Sequence, residues 1–339
     1  MTDELVLADA DEIVSRLDWS VLGSSNVLVT GATGLVGSYV FAAFCHAQRT
    51  GRFHGELWGV SRSAVLPFAL DLGRDAHLVQ GDVAGTRALG LLPGFDLIVH
   101  AAGYGQPSKF TAAPMDAIRV NTTGTLQLLN LLNERGRFGF LSTSELYSGL
   151  VASAATEDSI GTTTPAHPRG AYIEAKRCGE AIMHAAHAQR AIQTVSFRLA
   201  LAYGPGTRPD DGRVLNEIVR SALQRGRIDL KDSGGAIRTY CYVMDAVEML
   251  LQVLSSPFSG TVNLGGVSTT TIRQLAGLVA DLTGAELAVP HVGGQARTGA
   301  PAVVNLDLTL LKDLTGKSEF VSLSDGVART IRWQREKLR

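Results

Sequence analysis

A chain of 339 residues with 31 basic and 32 acidic side chains carries a net charge of −1, and 45% of it is hydrophobic. That length holds a large core in two closely joined lobes, while the balanced charge excludes a global basic field for nucleic acid or an acidic tail. Three scattered cysteines, Cys45, Cys178 and Cys241, argue against a disulfide framework or a metal site, and no apolar run is long enough to span a membrane.

The acidic start Met1-Thr2-Asp3-Glu4-Leu5 resembles no leader segment, so a soluble, cytoplasmic protein is expected. Residues 1–25 read as a helical extension built on Ala8 to Leu17, outside the nucleotide fold. The apolar run Asn26-Val27-Leu28-Val29-Thr30 predicts a buried parallel strand. Further strands are expected at 56–61, 77–80, 97–101, 138–142 and 194–199, alternating with helices at 36–48, 115–134 and 172–190. This alternation implies an α/β fold, a doubly wound parallel (Rossmann) sheet over residues 26–204. After the Gly- and Pro-rich loop 205–212, a helix at 214–225, short strands and helices at 245–254 and 272–284 are expected. Residues 205–339 are read as mainly a smaller substrate lobe over the carboxyl edge of the sheet.

Thr30-Gly31-Ala32-Thr33-Gly34-Leu35-Val36-Gly37 follows the first strand and opens a helix. Gly31 permits a tight turn, Gly34 lets backbone approach a pyrophosphate, and Gly37 packs helix on strand. With Thr33, Leu35 and Val36, these residues are the expected dinucleotide site, at the positive end of a helix. The second strand ends in Ser61-Arg62 rather than an acid. That leans the expected cofactor from NAD toward NADP, although Arg62 also suits a plain solvated loop. Asp82 and Val83 follow the third strand, where adenine would lie. Ala101, Ala102 and Gly103 end the fourth with little bulk, and Asn121 is either structural or near the active centre. His100 reads as a packed strand histidine, and His184 with His187 as helix surface.

Tyr172 and Lys176 stand i,i+4 on a helix, one turn apart on one face. An ammonium there favours the phenolate, which suits Tyr172 to removing a hydroxyl proton. The strand end Ser142-Thr143-Ser144-Glu145 adds a hydroxyl for the same substrate oxygen. It also adds a carboxylate costly to bury, hence one with a proton-transfer role.

Together these residues resemble the extended short-chain dehydrogenase/reductases, in particular the NAD-dependent epimerase/dehydratase family acting on nucleotide sugars. The likeness runs from about Asn26 to the end of the chain. It includes Arg198-Leu199, Tyr203-Gly204-Pro205-Gly206 and Arg238-Thr239-Tyr240-Cys241-Tyr242-Val243-Met244-Asp245. Within it, Thr143-Ser144-Glu145 is similar to the triplet of UDP-glucuronate decarboxylases and GDP-mannose 4,6-dehydratases. Pro168-Arg169, Glu174-Ala175-Lys176-Arg177 and Asp210-Asp211-Gly212-Arg213-Val214 lean toward the decarboxylases. Three departures stand out: the missing acid after the second strand, Gly103-Tyr104-Gly105-Gln106-Pro107, and Arg297-Thr298-Gly299-Ala300-Pro301 in place of an Arg-Lys-Pro-Asp stretch.

The resemblance implies that Tyr172, supported by Lys176, takes the sugar 4-hydroxyl proton while Thr143 holds that oxygen and hydride leaves C4 for a tightly bound, recycled NAD or NADP. The 4-ketone then permits loss of carbon dioxide from a 6-carboxylate, loss of the 6-hydroxyl if Glu145 removes the C5 proton, or epimerisation. Ser144, standing where dTDP-glucose dehydratases keep an aspartate, favours the first outcome. Arg213, Arg238 and Gln106 are the expected ligands of a nucleotide sugar, with UDP favoured. A homodimer is expected, its helices packing through Ala175, Gly179, Ala181 and Ala185. The alternative from another class is a non-catalytic NAD(P)-binding protein; retention of Tyr172 and Lys176 weighs against it.

Overall fold

Val27 and Val29 join the apolar cluster on one side of the first strand and Leu28 the cluster on the other, all fully buried. A strand with two dry faces needs helices above and below it. The computed structural model, which describes residues 3–85, 89–150, 154–190, 192–208, 210–290 and 303–338, supplies both layers. Strands β1 (Val27–Thr30), β2 (Leu57–Ser61), β3 (Ala76–Gln80), β4 (Phe95–His100), β5 (Leu132–Thr143) and β6 (Gln193–Leu199) follow in chain order, with helices after β1, β4 and β5. They join Gly260–Leu264, strand β10 in chain order, in a sheet ordered β10-β6-β5-β4-β1-β2-β3, with every pairing parallel. The main sheet thus draws on chain from both sides of residue 204.

Helices α1 (Asp3–Arg16) and α2 (Leu35–Arg49) cover one face, and α4 (Pro114–Asn121), α5 (Thr123–Leu129) and α6 (Gly170–Arg190) the other; α3 (Pro107–Ala112) precedes them at the edge. Beyond β6 lie β7 (Leu201–Tyr203), α7 (Val214–Arg225), β8 (Arg227–Asp229), β9 (Ile237–Tyr242) and α8 (Val243–Ser255). After β10 come β11 (Ser268–Thr271), α9 (Ile272–Thr283), β12 (Glu286–Ala288), β13 (Val303–Val304), α10 (Thr309–Thr315) and α11 (Leu323–Lys337). Strand β9 pairs with β7, β11 and β13 in a second sheet, and β8 with β12 in a third. No described helix is long and apolar enough to cross a membrane.

Two expectations need correction. The helix expected over 115–134 is broken at Thr122 and ends at Leu129, and Leu132 already pairs with Phe95 in β5. The run Leu128-Leu129-Asn130-Leu131-Leu132 fits a helix or a strand, and pairing with β4 decides for the strand. The lead-in helix begins at Asp3, and it is a working part of the core. Val6, Ala10, Ile13 and Val14 are buried, and Asp9, 1% exposed, accepts hydrogen bonds from the hydroxyls of Tyr39 (3.0 Å) and Tyr242 (2.8 Å). Its other oxygen accepts from Arg329 Nη1 at 2.8 Å. Helix α1 is thereby tied to α2, β9 and α11.

Burial pushes the Asp9 carboxyl up to about 6, against the pull of the two tyrosine hydroxyls and Arg329, with Glu12 adding to the rise. The folded state therefore holds this proton more tightly than the unfolded chain. The resulting stability is fully present below the ordinary carboxyl value of 3.8 and is lost as pH rises through about 6. For a shift of this size it is on the order of 3 kcal/mol. Asp9→Asn, which cannot titrate, should lack this component. The difference between wild-type and variant unfolding free energies should shrink as pH rises from about 4 to 7. A difference that stays flat in urea titrations across that range rejects the assignment.

Candidate active site

Thr30, Ser61, His100 and Thr143 end β1, β2, β4 and β5 at one edge of the sheet, and the strand order reverses between β1 and β4. Open sheets of this kind bind ligands at such a switch point. The glycine loop lies there. Gly31 has φ +67° and a Cβ on it would come within 2.6 Å of the Ala101 carbonyl; a Cβ on Gly37 would come within 2.2 Å of the Gly31 carbonyl. Gly34 caps α2 without a side chain, so the first amides of that helix face an open groove. A cradle that any Cβ would fill is what a dinucleotide diphosphate requires, and the loop fits that group.

A buried chain of hydrogen bonds fixes the opposite wall. The Ala102 amide donates to the Thr30 hydroxyl (3.3 Å), which sits 2.7 Å from His100 Nδ1, and His100 Nε2 lies 3.1 Å from the Val120 carbonyl. The carbonyl only accepts, so Nε2 carries the proton and Nδ1 accepts from Thr30. Burial, then the Lys176 charge, lowers the His100 imidazole to about 3. His100 is thus a neutral structural histidine, as the strand pattern suggested.

The groove opens into a cleft of about 1870 Å³ lined by every residue nominated from the sequence except Asn121. Asn121 lies behind it: Nδ2 donates to the Ala117 carbonyl at 2.7 Å, while Oδ1 is buried without a partner, facing Gly103. Tyr172 is 7% exposed and its ring stacks on Phe110 of α3, centroids 4.3 Å apart and planes within 4°. Burial raises the phenol well above its ordinary value. A hydrogen bond from Thr143 opposes that, the Glu145 charge adds to it, and Arg169 and Arg213 oppose it. Lys176, also buried, donates from Nζ to the Leu141 carbonyl at 2.5 Å and lies 4.8 Å from the centre of the Phe140 ring. Burial lowers its ammonium to about 7, with Glu180 acting the other way. The cations that ease ionisation of Tyr172 are Arg169 and Arg213.

At the end of β5 the Thr143 hydroxyl accepts from the Glu145 amide (3.2 Å), starting a short turn over Ser144–Tyr147. That turn aims Glu145 into the cleft, where Oε1 forms an ion pair with Arg169 Nη1 and Oε2 is buried without a partner. Below it, Ser142 and Arg198 both donate to Glu180, at 2.5 Å and 2.8 Å, and Arg198 also holds the Tyr147 hydroxyl at 2.9 Å. This buried network locks the end of β5 against β6 and α6.

On the cofactor side, the Arg62 guanidinium stacks 4.6 Å from the Tyr104 ring centre and donates to its hydroxyl at 2.5 Å. The Ser61 hydroxyl lies 2.7 Å from that of Thr33. Asp82 accepts from the Ala84 amide at 2.9 Å, closing its own turn, and Val83 packs beside Gly124. On the substrate side, Arg213 holds both oxygens of Asp211 through Nε and donates from Nη1 to the Ala202 carbonyl. Burial pushes Asp211 up, but hydrogen bonds and charge from Arg213 outweigh it and hold the carboxyl below its usual range. Arg238 lines the same wall, lowered by burial. Gln106 Oε1 accepts from the Gly212 amide at 3.4 Å, and Lys109 pairs with Asp210 at 3.2 Å, so loops on the two sides of the cleft meet.

Arg297 and its stretch lie outside the described residues. Of the small residues expected to face a partner, Ala175 and Gly179 are buried instead, and a Cβ on Gly179 would come within 2.3 Å of the Phe140 ring. Gly179 lets α6 approach its own sheet. Sequence reading missed Phe110 altogether, quoted Tyr104 only within a departing stretch, and saw Arg169 only as part of a likeness. Its position three residues before Tyr172, at the entry to α6, was the available signal.

A model described as the NAD dependent epimerase/dehydratase family matches residues 27–265. The chain is 28% identical over 302 residues to UDP-glucuronic acid decarboxylase 6 of Arabidopsis thaliana, covering 89% of this chain and 86% of that protein. It is 31% identical over 244 residues to UDP-glucuronic acid decarboxylase 1 of Xenopus tropicalis, covering 72% of this chain and 58% of the frog protein's length. Among solved structures, MoeE5 in complex with UDP-glucuronic acid and NAD superposes with a TM-score of 0.76 at 23% identity, over 92% of this chain and 99% of that one.

Proposed function

Because the chain belongs to the NAD dependent epimerase/dehydratase family, we propose that it modifies a UDP-sugar through a transient 4-keto intermediate, and that the sugar is UDP-glucuronate, which it decarboxylates. The observation that carries this reading is the convergence of Tyr172, Thr143 and the Glu145–Arg169 pair on one cleft with the glycine loop. The names of the Arabidopsis and frog relatives support the substrate. NAD fits the groove; NADP is the weaker choice because Arg62 is drawn away to Tyr104.

Gly31, Gly34 and Gly37 would hold the cofactor diphosphate, and Lys176 its reactive end. When bound, the nicotinamide accepts a hydride from sugar C4 and later returns it. Tyr172 takes the proton of the 4-hydroxyl, and Thr143 keeps that oxygen in place. Phe110 fixes the phenol ring by stacking, so little rotamer freedom is lost when substrate binds. Glu145 faces the sugar as a proton carrier for C5, with Arg169 holding its charge. Arg238 and Arg213, which line the cleft, would offer guanidinium forks to the nucleotide diphosphate. A cytoplasmic homodimer joined through α4, α5 and α6, which expose Met115, Leu126, Ala181 and Ala185, belongs to the same proposal.

Incubation with a panel of nucleotide sugars, followed by mass spectrometry, separates the outcomes. Decarboxylation predicts that UDP-glucuronate, with catalytic NAD, loses the mass of carbon dioxide. Loss of water from any sugar instead identifies a dehydratase, and unchanged mass with altered retention an epimerase. No conversion across the panel, with NAD still bound, returns the chain to the non-catalytic alternative.

A further inference from the structure

After β7 the chain turns through Gly204-Pro205-Gly206-Thr207-Arg208 and is fastened to the start of α2. Gly206 has φ +84°, and a Cβ on it would meet Tyr39, Phe68 and Leu35 at 3.4, 3.5 and 3.7 Å. Thr207 is buried; its hydroxyl donates to the Gly204 carbonyl (2.7 Å) and its carbonyl accepts from the Trp333 indole (3.1 Å). The backbone is thus held rigidly just before Arg208.

Arg208 itself is exposed and lines the cleft. Its Nη2 reaches the glycine loop, 3.3 Å from the Thr33 hydroxyl and 3.4 Å from the Thr33 carbonyl. Both partners are neutral. Lys109, Arg169 and Arg213, on the same cleft, each have a carboxylate partner. Among the described residues Arg208 makes no ion pair. A guanidinium tethered over a phosphate cradle, with its charge unanswered, is set to meet an anion there.

We propose that Arg208 binds the diphosphate of the nicotinamide cofactor, reaching over it from the loop after β7. This rests on the reading that the glycine loop holds the cofactor. It adds a ligand from outside that loop, one that must swing aside before the cofactor can leave. A cofactor that is reoxidised in every cycle gains from such slow release.

The test uses the purified chain as wild type, Arg208→Ala and Arg208→Lys, titrated with NADH, ADP, AMP and UDP. Loss of a charge-assisted bond predicts NADH and ADP binding weaker by about 10-fold or more in Arg208→Ala. NADH should also leave faster in displacement kinetics, and Arg208→Lys should recover part of the loss. AMP, which has no diphosphate, and UDP should bind all three proteins alike. The exposed side chain leaves the unfolding midpoint unchanged, so lost binding is not lost folding. Wild-type affinity for NADH and ADP in Arg208→Ala overturns the proposal and leaves the cofactor reading intact. An equal loss for AMP, or a loss confined to UDP, also overturns it. A wild-type chain that binds neither NADH nor ADP overturns the cofactor reading with it.

Discussion

Tyr172→Phe should lower turnover of UDP-glucuronate by about 10²- to 10⁴-fold, the usual worth of a positioned proton acceptor, while NAD and UDP still bind. The variant keeps the ring that stacks on Phe110 at 4.3 Å and loses only the hydroxyl beside Thr143. Packing and the unfolding midpoint should therefore be nearly unchanged. Burial holds this phenol in its neutral form, and burial also lowers Lys176 to about 7. The protein should therefore show no phenolate absorbance from Tyr172 at neutral pH. Because removal of the 4-hydroxyl proton accompanies the first oxidation, bound cofactor in the variant should stay oxidised after substrate is added. Wild-type turnover in Tyr172→Phe rejects the assignment outright.

The parts of the site that lie at strand ends were legible in the sequence, because there the chemistry restricts residue types at fixed offsets from an apolar run. Gly31 to Gly37 directly follow β1, Thr143 closes β5, and Tyr172 and Lys176 need only one helical turn to align. The remaining residues depend on where loops land. Tyr104 meets Arg62, 42 positions away, and Arg208 meets Thr33 across 175. No local pattern announces such meetings. The first helix shows the same limit: Asp9 earns its place through Tyr39, Tyr242 and Arg329, 30, 233 and 320 residues away. The small residues of α6 misled for another reason. A short side chain permits close approach but does not say to what, and here Phe140 takes the space beside Gly179.

Glu145→Gln should also cost about 10²-fold or more in turnover, but at a different point in the cycle. When a 6-carboxylate leaves as carbon dioxide, the electrons of the C5–C6 bond pass to the 4-ketone. The enolate so formed needs a proton at C5 before the sugar can be reduced again. In a dehydration the same carbon must first lose its proton. Either way, the carboxylate in the cleft acts after oxidation, whereas Tyr172 acts during it. The Gln side chain preserves size and can still accept from Arg169, so the fold and the first oxidation should survive. What it cannot do is carry a proton. Reduced cofactor should therefore accumulate on the Glu145→Gln protein after substrate is added, visible by its absorbance and fluorescence, where Tyr172→Phe shows none. Arg169→Met, which leaves the part-buried carboxylate without its cation, should slow turnover too. If Glu145→Gln instead leaves the cofactor oxidised, like Tyr172→Phe, then Glu145 serves the oxidation or binds the sugar, and its assignment to C5 fails.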